Sequence, residues 1–115
     1  MTKDAGLTDS LPDLQIKAPG DAVAKLPEGA DESVLSALII RAMQAHADSL
    51  AEARQARTVS VSLDMTGKPF AGGEVSLRSK VDRQTRTIIF MGGELCVQGD
   101  VIQKATAIFR LTEAG

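Results

Sequence analysis

From Glu32 to about Arg54 the chain runs without a glycine or a proline, and this stretch constrains the fold more than any other. Gly and Pro are the strongest interrupters of a helix, so their absence here predicts one long helix. Asp31 stands just before it and can serve as N-cap, its carboxylate accepting from the free amides of the first turn. At roughly 100° per residue, Leu35, Leu38, Ile39, Ala42, His46, Ser49 and Ala53 fall on one stripe, which predicts the core face. Arg41, Gln44, Asp48 and Glu52 fall opposite. Ser36, Ile40 and Arg54 lie off the stripe, so Ile40 needs a second surface to cover it.

After the helix the period changes to two. Val59, Val61, Leu63 and Met65 alternate with Thr58, Ser60, Ser62 and Asp64, the pattern of a half-buried strand. Beyond the turn signal "TGKPFAGG", Val75, Leu77 and Val81 alternate with Glu74, Ser76, Arg78, Lys80 and Asp82. Ile88 to Val97 is apolar on both parities apart from Glu94, which suits a central strand, and Gly92-Gly93 within it predicts a bulge or a close backbone approach. "QGD" reads as a hairpin turn. In the last strand Val101, Ala105, Ala107, Phe109 and Leu111 alternate with Ile102, Lys104, Thr106, Ile108 and Arg110. One helix and a four-strand antiparallel meander can bury their apolar faces only on each other, so the class is α+β with a curved sheet around the helix.

The ends carry less. Residues 1–13 mix Asp, Thr, Gly and Ser without an apolar period and predict a flexible N-terminal arm, leaving 14–115 as a single domain. One short strand is expected at Leu14–Lys17, cut by Pro19-Gly20. Thirteen Lys+Arg against fifteen Asp+Glu, with no basic block and no Trp or Tyr, argue against a nucleic-acid partner. The single Cys96 cannot form an internal disulfide, and no apolar run is long enough for a membrane span. A reducing, cytoplasmic setting is expected.

Three segments in this order resemble the hotdog-fold thioesterases, in particular the PaaI-like and 4-hydroxybenzoyl-CoA thioesterase-like groups. They are the helix "SVLSALIIRAM", the strand "TVSVSLDM" reaching "KPFAGGE", and the closing "RQTRTIIFMGGELCVQGDVIQKATAIFRL". The similarity runs from about Glu28 to Leu111. A cystatin-like fold also lays one helix on an antiparallel meander and is the alternative. The resemblance implies a homodimer or homotetramer with sheets joined edge to edge. It also implies an acyl-CoA thioester held between subunits near each helix N-terminus, with coenzyme A as part of the substrate and no other cofactor.

Two departures from the family bear on the chemistry. Its helix opens with a His-Gly-Gly-like segment whose amides polarise the thioester carbonyl, and Asp31-Glu32-Ser33 stand there instead. The family's catalytic Asp or Glu maps to Ile40, which can neither activate water nor attack. The resemblance therefore turns attention to Asp64 and Glu32 as a relocated base, with Asp31 a third nearby carboxylate and amides near Ser33 as the polarising group. Lys68, Arg83 and Arg86 are the candidates for the phosphates of coenzyme A, since guanidinium binds phosphate oxygens in pairs.

The same positions have plainer readings. Asp31 and Glu32 suit any helix N-terminus, Asp64 a solvent-facing strand, and the three cations a solvated loop. His46 is expected in core-edge packing and Cys96 in inert burial. One His and one Cys make no zinc site, and neither Gly pair opens a helix as a phosphate loop must. Two functions follow as expectations: a thioester hydrolase, or a catalytically inactive homologue that binds acyl thioesters or a protein partner through the same interface.

Overall fold

The computed structural model describes residues 12–68 and 70–113, so most of the expected arm lies outside the described residues. The elements are β1 (Gln15–Ala18), β2 (Asp21–Leu26), α1 (Glu32–Ala51), β3 (Arg54–Met65), β4 (Gly73–Gln84), β5 (Ile88–Val97) and β6 (Asp100–Glu113). The six strands form one antiparallel sheet in the order β1-β2-β4-β5-β6-β3, curved about the helix.

The α+β class and the single long helix stand as expected, but the connectivity differs from a four-strand meander. β3 crosses to the far edge and pairs with β6, and β2 takes the place beside β4. Helix α1 also ends earlier than Arg54, because Arg54 is already the first residue paired with β6, opposite Glu113. The turn is made at Glu52, whose φ of 59° is the positive value that stops a helix. The buried helical residues are Leu35, Leu38, Ile39, Ala42, Met43, Ala47 and Ala51. Ser49 and Ala53, expected on that face, are exposed.

The sheet supplies the opposing apolar layer: Val75 and Leu77 from β4, Ile89, Met91 and Leu95 from β5, Phe109 and Leu111 from β6. Leu38 is fully buried at the centre, so Leu38→Ala would cost about 2–5 kcal/mol in lost transfer energy and cavity. Gly93 sits directly under the helix, where an added Cβ would lie 2.9 Å from Met43 Sδ. Close approach is thus the duty of that glycine, and the register shifts of the sheet fall elsewhere, at Lys17, Val59, Asp82 and the Leu95/Cys96 step. The β5–β6 turn has positive φ at both Gln98 and Gly99, as a two-residue hairpin requires.

Two side-chain clips orient the helix on the sheet. Gln44 donates from Nε2 to the Ala56 carbonyl at 2.8 Å, while its Oε1 accepts from Thr58 Oγ1 at 3.0 Å. Gln44 therefore faces β3 and not open solvent. His46 Nδ1 and Ser79 Oγ lie 2.8 Å apart, joining the helix to β4. Beside them Gly20 turns the β1–β2 hairpin with a φ of +83°, and its carbonyl accepts from Ser79 N at 3.0 Å.

Candidate active site at the helix N-terminus

A cavity of about 360 Å³ opens at the start of α1. Asp31, Glu32 and Leu35 form its helical wall, Met65, Lys68 and Phe70 come from the end of β3 and the loop after it, and Ile102 closes it from β6. The loop is fastened by Thr66, whose N–H donates to the Ile102 carbonyl at 3.1 Å and whose hydroxyl donates to the Val101 carbonyl at 2.9 Å. Lys68 is exposed at the mouth, with Nζ 3.4 Å from Asp100 Oδ1. An exposed pair at this separation holds the ammonium loosely and leaves it free to meet an anion.

The amides of the first turn are largely spoken for. Asp31 Oδ1 accepts from Ser33 N at 3.1 Å, from Ser33 Oγ at 2.6 Å and from Val34 N at 3.2 Å. These bonds, the Ser33 hydroxyl first, hold the Asp31 carboxyl below its ordinary pKa of 3.8. The Ser33 N–H is thus occupied by a carboxylate rather than presented to a carbonyl. Glu32 N is the first-turn amide with no acceptor among the described residues.

The two expected bases do not share this cavity. Glu32 lines it, but Asp64 precedes Met65 by one residue and so points to the other face of the sheet. There Asp64 ends a cross-strand row. Asp21 lies opposite Arg78, Arg78 opposite Glu94, Glu94 opposite Lys104, and Lys104 opposite Asp64. This row of alternating charge lines a broad groove of about 750 Å³ on the side away from the helix. Opposite charges on facing strand positions stabilise a sheet, which gives Asp64 a structural duty.

Arg83 and Arg86 are also remote from Lys68 within one chain. They flank the β4–β5 connection, where Arg54 Nη1 donates to the Arg86 carbonyl, and Arg54 opens β3 just past the C-terminal end of α1. Lys68 lies at the other end of the sheet, about 30 Å away along the strands. Ile40 is half-buried against the edge of the core and Arg41 is exposed. Cys96 is buried, and burial, with the charge of Glu94 adding to it, pushes its thiol pKa up. His46 is half-buried with its pKa lowered by burial.

Met65 and Ile102, which line the cavity, Thr66, which fastens its loop, and the polar pair behind it are residues that the sequence pattern does not single out. Gln103 is fully buried, and its Nε2 donates to Ser36 Oγ at 2.8 Å. Gln103 does leave a signal: it occupies the core parity of β6 between Val101 and Ala105. Among the described residues no group of three or more His, Cys, Asp or Glu is placed to hold a metal ion, and no helix is long and apolar enough to cross a membrane.

This architecture is that of the hotdog fold, and solved structures share it. A point mutant of the phenylacetic acid degradation protein PaaI from Thermus thermophilus is 19% identical, with 90% of this chain and 96% of that one covered and a TM-score of 0.75. A Bacillus halodurans protein solved with CoA is 20% identical over 100% of this chain and 82% of its own, with a TM-score of 0.75. A "hypothetical thioesterase protein" from Streptococcus pneumoniae, solved with coenzyme A, is 16% identical over 89% and 90%, with a TM-score of 0.70. No curated protein sequence matches the chain. The family model described as "Acyl-CoA thioesterase N-terminal domain" matches residues 33–110. The chain belongs to this acyl-CoA thioesterase domain family.

Proposed function

We propose that the protein binds acyl-CoA-type thioesters in the cavity at the N-terminus of α1 and hydrolyses them slowly, with Glu32 as general base. The observation that supports this most is the meeting of a carboxylate, a cation and a helix N-terminus around one cavity, as Glu32, Lys68 and Asp31 do here. In the reaction Glu32 takes a proton from water as the water oxygen attacks the thioester carbonyl carbon. The tetrahedral intermediate then breaks its C–S bond, Glu32 returns the proton to the leaving sulfur, and a carboxylic acid and the thiol of CoA are released. Slowness follows from the carbonyl's surroundings: each missing oxyanion donor costs about 10²–10³ in rate, and Asp31 occupies two amides.

A second copy completes the site in this reading. β3 is an edge strand of twelve residues without proline, and its apolar side chains remain open, Val59 at 57%, Leu63 at 37% and Met65 at 44% exposure. An edge of that length invites pairing with another chain. Antiparallel pairing of two β3 strands sets the Arg54 end of one against the Met65 end of the other, and carries Arg83 and Arg86 of the second copy toward Lys68 of the first. Three cations then face the phosphates of CoA from two chains.

The test is hydrolysis of a panel of short, long and aryl acyl-CoAs with thermal-shift binding of the same panel. Turnover lost in Glu32→Gln supports the reading; a melting shift with no turnover supports the inactive acyl-thioester-binding alternative, which Ile40 and the Asp31 cap favour. No shift with any CoA compound overturns both.

A further inference from the structure

Gln103 Oε1 is a buried side-chain acceptor with no hydrogen-bond partner among the described residues. Leaving such an atom unpaired forfeits the hydration it had in the unfolded chain, so a native chain that keeps one needs a reason. Its surroundings supply one. Gln103 is paired across the sheet with Met65, follows Ile102 in β6, and is bonded to Ser36, the neighbour of Leu35. Met65, Ile102 and Leu35 all line the cavity at the helix N-terminus, so Gln103 stands one layer of side chains behind its wall. Met65 is the movable member of that layer, flexible by chemistry and 44% exposed.

Ser36 Oγ accepts from Gln103 Nε2 at 2.8 Å, which leaves Oε1 as the unpaired atom of the amide. With the Gln103 amide turned over, Ser36 would donate to the amide oxygen and the amide nitrogen would be left unpaired. Either orientation lacks one partner, and a hydroxyl group answers both because it donates and accepts. An alkyl chain answers neither.

We infer that Gln103 and Ser36 form the polar end of the acyl pocket and select thioesters whose acyl chain carries a hydroxyl group over alkyl chains of equal length. This rests on the thioester reading above and names the substrate class within it. Lys68 at the mouth takes the phosphates, and the chain enters past Met65 until its hydroxyl meets the pair. A site built around such a hydrogen bond discriminates against the analogue lacking it, because its own polar groups are then left unpaired.

The test uses the whole chain with butanoyl-, hexanoyl- and octanoyl-CoA beside their 3-hydroxy counterparts, read by hydrolysis and by thermal shift. Wild type is expected to favour the hydroxylated member of a pair by about tenfold or more. Gln103→Met should bring that ratio to about one and raise the melting temperature of the ligand-free protein, since the orphan acceptor is gone. Ser36→Ala, which removes a single oxygen, should also collapse the ratio and serves if Gln103→Met does not fold. Thioesters bound without preference, or a preference that survives both variants, overturn this inference and leave the thioester reading intact. Absence of any CoA-thioester binding overturns the two together.

Discussion

The Asp31 carboxylate holds Ser33 twice, through its N–H at 3.1 Å and its hydroxyl at 2.6 Å, and so caps α1 with donors that an oxyanion would need. In the proposed reaction, stability and catalysis are therefore opposed at this one residue. Asp31→Gly keeps a tolerated N-cap and frees the Ser33 amide, while the Val34 amide stays bonded to the backbone carbonyl of residue 31 at 3.1 Å. It is expected to lower the melting temperature slightly and to raise acyl-CoA hydrolysis about tenfold, a fraction of what one oxyanion donor is worth. The cap also titrates. Because the folded pKa of Asp31 lies below 3.8, its contribution is whole above that pH and is lost as pH falls through the lowered value. Acid melts of wild type and Asp31→Asn should differ above pH 3.8 and converge as pH falls through the lowered folded value.

Glu32 and Asp64 are separated by the sheet itself, and the proposed reaction assigns the base to Glu32. Glu32→Gln is expected to reduce acyl-CoA turnover by about 10²–10⁴, the range for a general base. Asp64→Asn should leave turnover within about twofold and change stability by less than about 1 kcal/mol, the scale of a cross-strand charge pair. Steady-state kinetics on both variants checks this, and the reverse ranking would return Asp64 to the site.

The parts of this fold legible in the sequence are those set by neighbours along the chain. The helix follows from its Asp31 cap and its freedom from Gly and Pro, and β4 from the alternation of Val75 and Leu77 with Glu74 and Ser76. What escaped is set by distant pairing. β2, "DAVAKL", is too short for its alternation to stand out, and it is fixed by the ladder from Asp21–Arg78 to Leu26–Gly73. β3 could have paired with β4 across "TGKPFAGG", and only the bare edge of β6 explains why it does not. In the site, Glu32 and Lys68 were visible by type and position, but the opposite facing of Asp64 follows from which parity of β3 meets the helix. The Val59 register shift makes that parity hard to read from alternation alone.

His46 adds a second pH dependence. Burial lowers its pKa from 6.5, so the unfolded chain binds a proton more readily than the folded one between the two values. Stability accordingly falls as pH drops from 6.5 through the lowered folded value, and is complete above 6.5. His46→Gln keeps a polar partner for Ser79 and removes the titration. The difference in melting temperature between wild type and this variant should shrink or reverse on acidification. A difference independent of pH across that window would show that the folded and unfolded chains bind a proton at His46 equally and that burial does not lower its pKa.

The edge of β3 decides how many chains make one site. Leu63 lies on the helix-side parity of that strand, opposite Ala105, and is 37% exposed because α1 does not reach it. If a second β3 covers it, Leu63→Glu buries a charge at the interface, which costs several kcal/mol unless paired. Sedimentation should then report half the wild-type mass, with the helical content kept because Leu63 is peripheral to the core of one chain. The separated chains should also lose affinity for CoA, since Arg83 and Arg86 stand about 30 Å from Lys68 in their own chain. Replacing both arginines by alanine separates the two effects: the mass should stay that of wild type while CoA binding weakens by about tenfold or more. A wild-type chain that sediments as a monomer and still binds CoA would instead place the whole site on Glu32, Lys68 and the helix N-terminus of one copy.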